Sequence, residues 1–373
     1  MTIPDEAPTE PKEWWVYRGE GDADERLKLL VGNEPPWRSF GGTVDSAYRA
    51  PGMDSASGAE TKRRGDKYVP AAPEINAVNT ALYLRRPLLV TGKPGVGKTT
   101  LAYSIATDLG LGPVLHWPIT SRTSLRDGLY HYDAISRLHD ANLSHLNRAA
   151  ARPRHTNGHR ARIPHTPQTG GAAIGTRAAT IANYLRLGPL GTALIPQDRP
   201  RVLLIDEIDK CDIDLPGDLL TVLEDGAFEI PELARMATQQ PQIRVGSHDS
   251  PDPDVCIDRG KVSCRAFPII VMTSNGEREF PPPFLRRCIR LNIKPPGEEK
   301  LRRILEERLK IDKNDRSFDD LITAFNTRQT QGGVATDQLL NAIQLRLSGA
   351  WSDAGDYDEF VESAMQPLTG PDS

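Results

Sequence analysis

Residues 88–100 read Leu-Leu-Val-Thr-Gly-Lys-Pro-Gly-Val-Gly-Lys-Thr-Thr, an apolar run that passes into a glycine-rich segment. The run predicts a short buried strand, and the residues after the segment carry apolar side chains at helical spacing. Gly92, Gly95 and Gly97 leave the backbone open to a triphosphate and tolerate the positive dihedral angles of such a loop. A strand that turns through this loop into a helix predicts a phosphate-binding loop. The structural alternative is a glycine-rich turn that binds nothing.

Each part of this loop has an expected role in binding a nucleoside triphosphate. The helix expected to begin at about Lys98 directs free backbone amides at the phosphates and adds the partial positive charge of its N-terminus. We expect Lys98 to reach the β and γ oxygens and the Thr99 hydroxyl to complete the coordination shell of Mg²⁺. The predicted nucleotide-binding residues are Gly92, Lys93, Pro94, Gly95, Val96, Gly97, Lys98, Thr99 and Thr100.

Acidic residues end another apolar run, Val202–Asp209, which reads Val-Leu-Leu-Ile-Asp-Glu-Ile-Asp. The run predicts a buried parallel strand, and open α/β sheets bind their ligands at the carboxyl ends of such strands. We expect Asp206 to hold Mg²⁺ through water and Glu207 to polarise the water that attacks the γ-phosphate. The alternative is a pair of acids that cap a helix. Asp209 is expected to cap or pair locally at the start of the next helix.

Composition and charge set limits on the class of protein. The 373 residues carry a formal net charge of −4, which gives no general attraction to nucleic acid. No apolar run approaches the roughly 20 residues that span a membrane, and the first residues lack a basic, apolar export signal. We therefore expect a cytoplasmic protein without membrane association, whose four cysteines are free thiols.

Residues 1–70 differ in composition from the rest of the chain. They are rich in Pro, Gly, Asp, Glu and Ser, and this composition predicts a mostly irregular segment without a core of its own. Its aromatic residues are Trp14, Trp15, Tyr17 and Trp37. We expect them to pack on the surface of this protein, with a partner protein as the alternative.

Two further regions follow. Residues 71–295 alternate between strand and helix patterns and predict an α/β fold, a parallel sheet sandwiched by helices, with strands at 88–91, 113–119, 202–205 and 268–273. Residues 296–373 predict a small all-α domain with helices at about 297–310, 317–328, 336–348 and 356–366.

A long insertion, about 140–185, separates the second predicted strand from the acidic strand. Its middle, 148–176, combines several histidines, prolines and glycines with Arg148, Arg152, Arg154, Arg160 and Arg162. This composition predicts a mobile, solvated basic loop. Contact with an acidic partner or a nucleic-acid phosphate is one alternative, and a histidine metal cluster is another.

The polar tip of a further strand completes an ordered set of motifs. Pro268–Asn275 ends in Thr-Ser-Asn, and Phe284–Arg290 carries an arginine pair. The order of phosphate loop, acidic strand, polar-tipped strand, arginine pair and helical lid resembles the P-loop NTPases of the AAA+ class over residues 75–350. Similarity to the MoxR-like and dynein-related branch, which carries an extra insertion in its second helix, comes from Gly188–Leu190, Asp206–Lys210, Leu219–Glu224 and Phe228–Pro231.

The resemblance implies roles for residues outside the phosphate loop. Asn275 matches the sensor residue that holds the attacking water with Glu207, and Arg287 matches the arginine finger that reaches the γ-phosphate of a neighbouring subunit. Arg286 is the second choice for the finger. A turn-forming Asn275 and a purely structural arginine pair are the alternatives. Many relatives carry a basic residue at the start of the third lid helix, but residues 332–337 (Gly-Gly-Val-Ala-Thr-Asp) contain none.

The same resemblance implies a function and an assembly. It implies an ATPase with ATP and Mg²⁺ as cofactors, acting as a homo-oligomeric ring, most often a hexamer, that remodels or activates a partner protein. A protein with a von Willebrand factor A domain is one candidate partner, and a nucleic-acid partner is not expected. ATP is favoured over GTP because the Asn-Lys-x-Asp pattern of small GTPases is absent. The alternatives are a nucleic-acid-stimulated motor or restriction-type translocase, and a nucleotide switch with little turnover.

Overall fold

The computed structural model describes residues 11–18, 22–150, 181–312, 314–331, 333–349 and 357–366. The strands, in chain order, are β1 Leu88–Thr91, β2 Leu115–Pro118, β3 Tyr130–Tyr132, β4 Leu185–Leu187, β5 Val202–Asp206, β6 Ala227–Glu229, β7 Gln242–Val245, β8 Val255–Asp258, β9 Lys261–Ser263, β10 Ile269–Ser274 and β11 Ile289–Asn292. The α-helices are α1 Ala23–Lys28, α2 Ala56–Gly65, α3 Ala72–Leu84, α4 Lys98–Asp108, α5 Leu125–Leu129, α6 Ala134–Ala150, α7 Pro189–Ala193, α8 Leu215–Asp225, α9 Pro231–Ala234, α10 Pro282–Leu285, α11 Glu298–Leu309, α12 Asp319–Gln331, α13 Thr336–Leu347 and α14 Tyr357–Ala364.

A parallel sheet with the strand order β11-β1-β10-β5-β2 forms the centre of the fold. The sequence predicted four of its strands, and the predictions at 88–91, 113–119, 202–205 and 268–273 are confirmed. The edge strand β11 was not predicted, because exposed Arg290 and Asn292 interrupt its apolar residues. Parallel pairing brings the carboxyl ends of β1, β10 and β5 to one edge of the sheet.

Helices cover both faces of this sheet, which confirms the predicted α/β sandwich. Leu88 and Val90 of β1 pack with helices α3 and α4 on one face, whereas Leu89 packs into the cluster that contains residues of α7 and α8 on the other. The strands are therefore apolar on both sides, as parallel strands between two helical layers are. Helix α4 begins at Lys98, as the phosphate-loop pattern predicted.

Two small antiparallel sheets flank the central one. Strands β3 and β4 pair with each other, and a second sheet has the order β6-β9-β8-β7. The sequence did not predict these strands, because segments of three or four residues are too short to show a clear alternation.

The described part of residues 1–70 packs on the protein's own surface. Trp15 and Tyr17 are buried in the apolar cluster that also contains residues of α3 and α4. The backbone amides of Val16 and Tyr17 donate to the Asn79 Oδ1 atom at 2.7 and 2.9 Å. Trp37, in contrast, is 77% exposed. The segment also contains helices α1 and α2.

The carboxyl-terminal region is helical. Helices α11, α12, α13 and α14 correspond to the four helices predicted between 297 and 366, and they share a separate apolar cluster built around Phe325, Leu339 and Ile343. We refer to these helices as the lid. The first residue of the fourth predicted helix, at 356, lies outside the described residues.

Residues 151–180, which hold most of the predicted basic loop at 148–176 and most of the insertion at 140–185, also lie outside the described residues. Helix α6 occupies the first part of the insertion. Within the described ranges, no helix combines the length and the apolar character needed to cross a membrane. The four cysteines are free thiols.

Candidate functional site

A cleft of about 390 Å³ opens at the carboxyl edge of the central sheet, between the sheet and the lid. The phosphate loop forms its floor, and the ends of β5 and β10 form one side. The lining residues are Lys67, Tyr68, Val69, Pro94, Gly95, Val96, Gly97, Lys98, Thr99, Thr100, Asp206, Glu207, Thr273, Asn275, Pro296, Lys300, Ile304, Arg308, Thr336, Asp337 and Leu340. The structure therefore brings most of the predicted site residues to one place.

Glycine is required at two positions of the loop. Gly95 has φ +75°, and a Cβ atom there would lie 2.3 Å from the Ala335 Cβ atom of the lid. Gly97 has φ +96° and immediately precedes α4, and a Cβ there would lie 3.1 Å from the Tyr68 ring. Any other residue would be strained in these conformations and would also collide with the walls of the cleft.

Lys98 is held by three oxygen atoms of its own chain. Its Nζ atom donates to the carbonyls of Gly92 at 2.7 Å and Lys93 at 2.9 Å, and to Asn275 Oδ1 at 2.8 Å. Burial lowers the pKa of Lys98, an effect that the carboxylates of Asp209 and Asp206 partly oppose. A buried ammonium group at the mouth of a glycine loop is a strong site for phosphate oxygens.

Asp206 lies beside the Thr99 hydroxyl. Its Oδ1 atom accepts hydrogen bonds from Thr99 Oγ1 at 3.0 Å and Thr273 Oγ1 at 2.6 Å, and its Oδ2 atom lies 3.2 Å from His116 Nε2. Burial alone would raise the pKa of Asp206, but the hydrogen bonds from His116, Thr273 and Thr99 lower it overall. A carboxylate and a hydroxyl this close are hard oxygen donors of the kind that Mg²⁺ prefers, so the residues fit that ion.

Glu207 has an unusual backbone conformation. Its φ of 60° and ψ of 48° lie in the left-handed region, and its amide donates to Thr273 Oγ1 at 2.9 Å. Strained backbone of this kind concentrates at functional sites. The carboxylate accepts a hydrogen bond from Lys210 Nζ at 2.7 Å. Glu207 lines the cleft, and its carboxylate is paired with a lysine of its own chain.

Asp209 contacts the polar tip of β10. Its Oδ2 atom accepts hydrogen bonds from the backbone amides of Asn275 at 2.8 Å and Glu277 at 3.1 Å. The expectation that Asp209 caps or pairs locally at the start of the next helix is wrong, because both hydrogen-bond partners of its side chain lie more than 60 residues further along the chain, and Asp214 precedes α8. Asp209 therefore holds Asn275 where the carboxamide meets Lys98.

One family model matches residues 87–288, that of the AAA domain of the dynein-related subfamily. The chain belongs to this family. The match covers more than half of the chain and includes the phosphate loop, Asp206, Glu207 and Asn275. AAA proteins are in general ATPases that bind ATP and typically Mg²⁺. No curated protein matches the chain significantly.

The arginine pair lies outside the cleft of its own AAA domain. Arg287 forms an ion pair with Glu224 of α8 and also donates from Nη1 to the carbonyl of Pro283 at 3.2 Å. Its side chain is 30% exposed, and neither Arg287 nor Arg286 is among the residues that line the cleft. The structure therefore groups Lys98, Thr99, Asp206, Glu207 and Asn275 but leaves Arg287 apart.

Several residues of the AAA site were not identified from the sequence. His116 and Thr273 contact Asp206, and Tyr68 and Lys300 form walls of the cleft. Thr273 could have been found, because it belongs to the polar tip of β10. The other three lie on separate elements, and no spacing along the chain connects them with the phosphate loop.

Proposed function

We propose that this AAA protein binds and hydrolyses ATP, acts as an oligomeric ring and uses the energy of hydrolysis to remodel or activate a partner protein. The observation that carries the proposal is that two hydrogen-bonded pairs, Lys98–Asn275 and Thr99–Asp206, lie in one cleft. These residue types supply a phosphate-binding cation, hard ligands for a divalent cation and a polar group that can orient water.

In the proposed reaction, the amino-terminal amides of α4 and Lys98 bind the phosphates. Lys98 exchanges its contacts with the loop carbonyls for phosphate oxygens. Thr99 and Asp206 hold Mg²⁺, which when bound neutralises charge on the β- and γ-phosphates. Asn275 and Glu207 orient and polarise the attacking water.

In this scheme, Glu207 is first held in an ion pair with Lys210. The Glu207 carboxylate pairs with Lys210 Nζ at 2.7 Å, and this contact holds it on its own chain. Both side chains are more than two-fifths exposed, so the pair is weak and exchanges easily. Glu207 therefore reaches the attacking water after it leaves Lys210.

The ring assembly rests on Arg287. A finger that does not line its own cleft can act only on the nucleotide of a neighbouring subunit, where it offsets the charge of the transition state. The nature of the partner rests on resemblance alone, and a protein with a von Willebrand factor A domain is the first candidate. Helix α6 carries exposed Ile135 and Leu138 on the surface available to such a partner.

The proposal is tested by measuring ATP binding and ATP hydrolysis for wild type, Lys98→Ala and Glu207→Gln. We expect Lys98→Ala to abolish ATP binding, and Glu207→Gln to bind ATP normally while its hydrolysis rate falls by about a hundredfold or more. Normal binding by Lys98→Ala would contradict the phosphate-loop assignment. A wild-type chain that binds ATP tightly without turnover would instead be a nucleotide switch, and stimulation by DNA that is lost at high salt would indicate a nucleic-acid motor.

A further inference from the structure

A buried ion pair connects the lid to the AAA domain. Lys300 Nζ of α11 lies 2.7 Å from Glu74 Oε1 of α3, and the two side chains are only 14% and 5% exposed. The other carboxylate oxygen of Glu74 accepts hydrogen bonds from Tyr68 OH at 2.8 Å and from the Ala71 amide at 3.0 Å. Glu74 thus joins the first lid helix to the segment that precedes α3.

The two side chains that bind Glu74, those of Tyr68 and Lys300, reach the nucleotide cleft. Tyr68 and Lys300 both line it, and the Tyr68 ring lies against Gly97 of the phosphate loop. A change in the position of Lys300 therefore changes the width of the cleft. Lys300 is part of the cleft wall and Glu74 does not line the cleft, so the pair can set the distance between the lid and the phosphate loop.

The third lid helix supplies no cation to this cleft. Ala335 and Asp337 at its start pack on Gly95, with Asp337 Oδ1 3.4 Å from where a Cβ atom of residue 95 would lie. Within the described part of the lid, the cations that line the cleft are Lys300 and Arg308, both on α11. Arg308 is exposed, whereas the Lys300 side chain is mostly shielded from solvent and is paired with Glu74.

We propose that the Glu74–Lys300 pair fixes the lid over the bound nucleotide, in a lid whose residues 332–337 contain no basic residue. This inference rests on the proposed nucleotide site. Removing one charge would leave the other mostly buried without its partner, so the pair specifies how the lid sits against the AAA domain. A nucleotide that contacts both the phosphate loop and the lid would bind best when the lid is closed, and its apparent dissociation constant would then rise in inverse proportion to the closed fraction.

The test uses the full chain in two neutralised forms, Lys300→Met and the double variant Lys300→Met with Glu74→Gln, which leaves no unpaired carboxylate. Affinity for ATPγS is measured by calorimetry. Lid position is measured without nucleotide as the distance between spin labels at Lys62→Cys and Gln344→Cys in a Cys256→Ser background. We expect both forms to bind ATPγS about tenfold more weakly and to show a second, longer label distance.

Two controls separate this role from ordinary stabilisation. Lys300→Arg keeps the charge, and Arg346→Met removes the Arg346–Asp320 ion pair inside the lid, so both should keep the wild-type distance and bind within about twofold of wild type. A lower melting temperature of the neutralised forms with unchanged affinity, or with an unchanged label distance, would overturn the proposal. If wild type itself fails to bind ATPγS, the proposed function is wrong, and the label distance alone decides whether the pair holds the lid.

Discussion

At the scale of single residues, the site depends on the buried carboxylate of Asp209. We assign this carboxylate no direct contact with ATP or Mg²⁺. Asp209 is 3% exposed and binds the backbone amides of Asn275 and Glu277. The Asn275 carboxamide in turn contacts Lys98. Asp209 is therefore a positioning residue, since it acts on the phosphate-binding lysine through Asn275.

Replacing Asp209 with Ala should reduce catalysis more than it reduces stability. The amides of Asn275 and Glu277 are only partly buried, so losing their acceptor should cost less than the roughly 1–3 kcal/mol of a buried unsatisfied group. The displaced Asn275 no longer orients water, so kcat for ATP should fall about tenfold or more while KM changes little. Steady-state kinetics beside a melting curve checks this. Asp212→Ala is the control, because Asp212 is exposed and its side chain caps only Ile213. An unchanged kcat for Asp209→Ala would contradict the role of Asp209.

A second residue-scale prediction concerns the acidic start of the third lid helix. Asp337 brings a negative charge to the wall beside Gly95, where triphosphate oxygens would bind. Removing that repulsion should strengthen nucleotide binding. We expect the dissociation constant for ATP to fall about threefold in Asp337→Asn and about tenfold in Asp337→Arg.

Titration with ATP at two salt concentrations measures this effect, and the gain should shrink at high salt because the charge is exposed to solvent. Glu307→Gln is the matched control, since it removes one exposed negative charge of the lid outside the cleft. Equal gains for Glu307→Gln and Asp337→Asn would show that only net charge matters.

At the scale of elements, the described amino-terminal residues stabilise the nucleotide-binding helix. Asn79 of α3 is fully buried and accepts hydrogen bonds from the amides of Val16 and Tyr17, while its Nδ2 atom donates to the carbonyls of Tyr17 and Ile75. Tyr17 OH also pairs with Ser104 of α4 at 2.8 Å. This part of the chain thereby clamps the helix that follows the phosphate loop.

Replacing Asn79 with Leu should therefore lower stability without a direct effect on chemistry. The substitution leaves buried amide and carbonyl groups unsatisfied, so the free energy of unfolding should fall by about 2–4 kcal/mol. Chemical denaturation measures this change, and ATP affinity should stay normal well below the unfolding transition. Asn76→Ala, one turn earlier on the same helix, is the control because its side-chain oxygen has no hydrogen-bond partner among the described residues. Equal losses for the two variants would contradict the clamp.

The elements that the sequence predicted share one physical property. Strands β1, β5 and β10 are continuous apolar runs because helices cover both faces, and such runs stand out in any sequence. The edge strand β11 and the flanking antiparallel strands are short and partly polar, so their side chains show little periodicity in hydrophobicity.

In the site, Lys98, Thr99, Asp206 and Asn275 follow directly from motifs. His116, Tyr68, Asp209 and Lys300 gain their positions from tertiary contacts that sequence spacing does not encode.

At the scale of the whole molecule, the position of Arg287 determines what one chain can do alone. Arg287 is paired with Glu224 beside the exposed Trp37, in a surface pocket separate from the nucleotide cleft. In the ring proposed above, Arg287 would reach phosphate across the interface with the next subunit. Because a neighbouring γ-phosphate carries more negative charge than a single carboxylate, it can compete with Glu224 for the guanidinium.

Mixing two inactive variants therefore gives the sharpest test of the ring. Arg287→Ala subunits keep Glu207, and Glu207→Gln subunits keep the finger, so each variant alone should be inactive. In a randomly mixed ring, about a quarter of the interfaces join an intact catalytic cleft to an intact finger, and the mixture should recover about a quarter of the wild-type rate. Mixing Glu207→Gln with Lys98→Ala is the control. No interface of that mixture has an intact cleft, so its activity should stay absent. Full activity of Arg287→Ala alone would mean that each chain completes its own site.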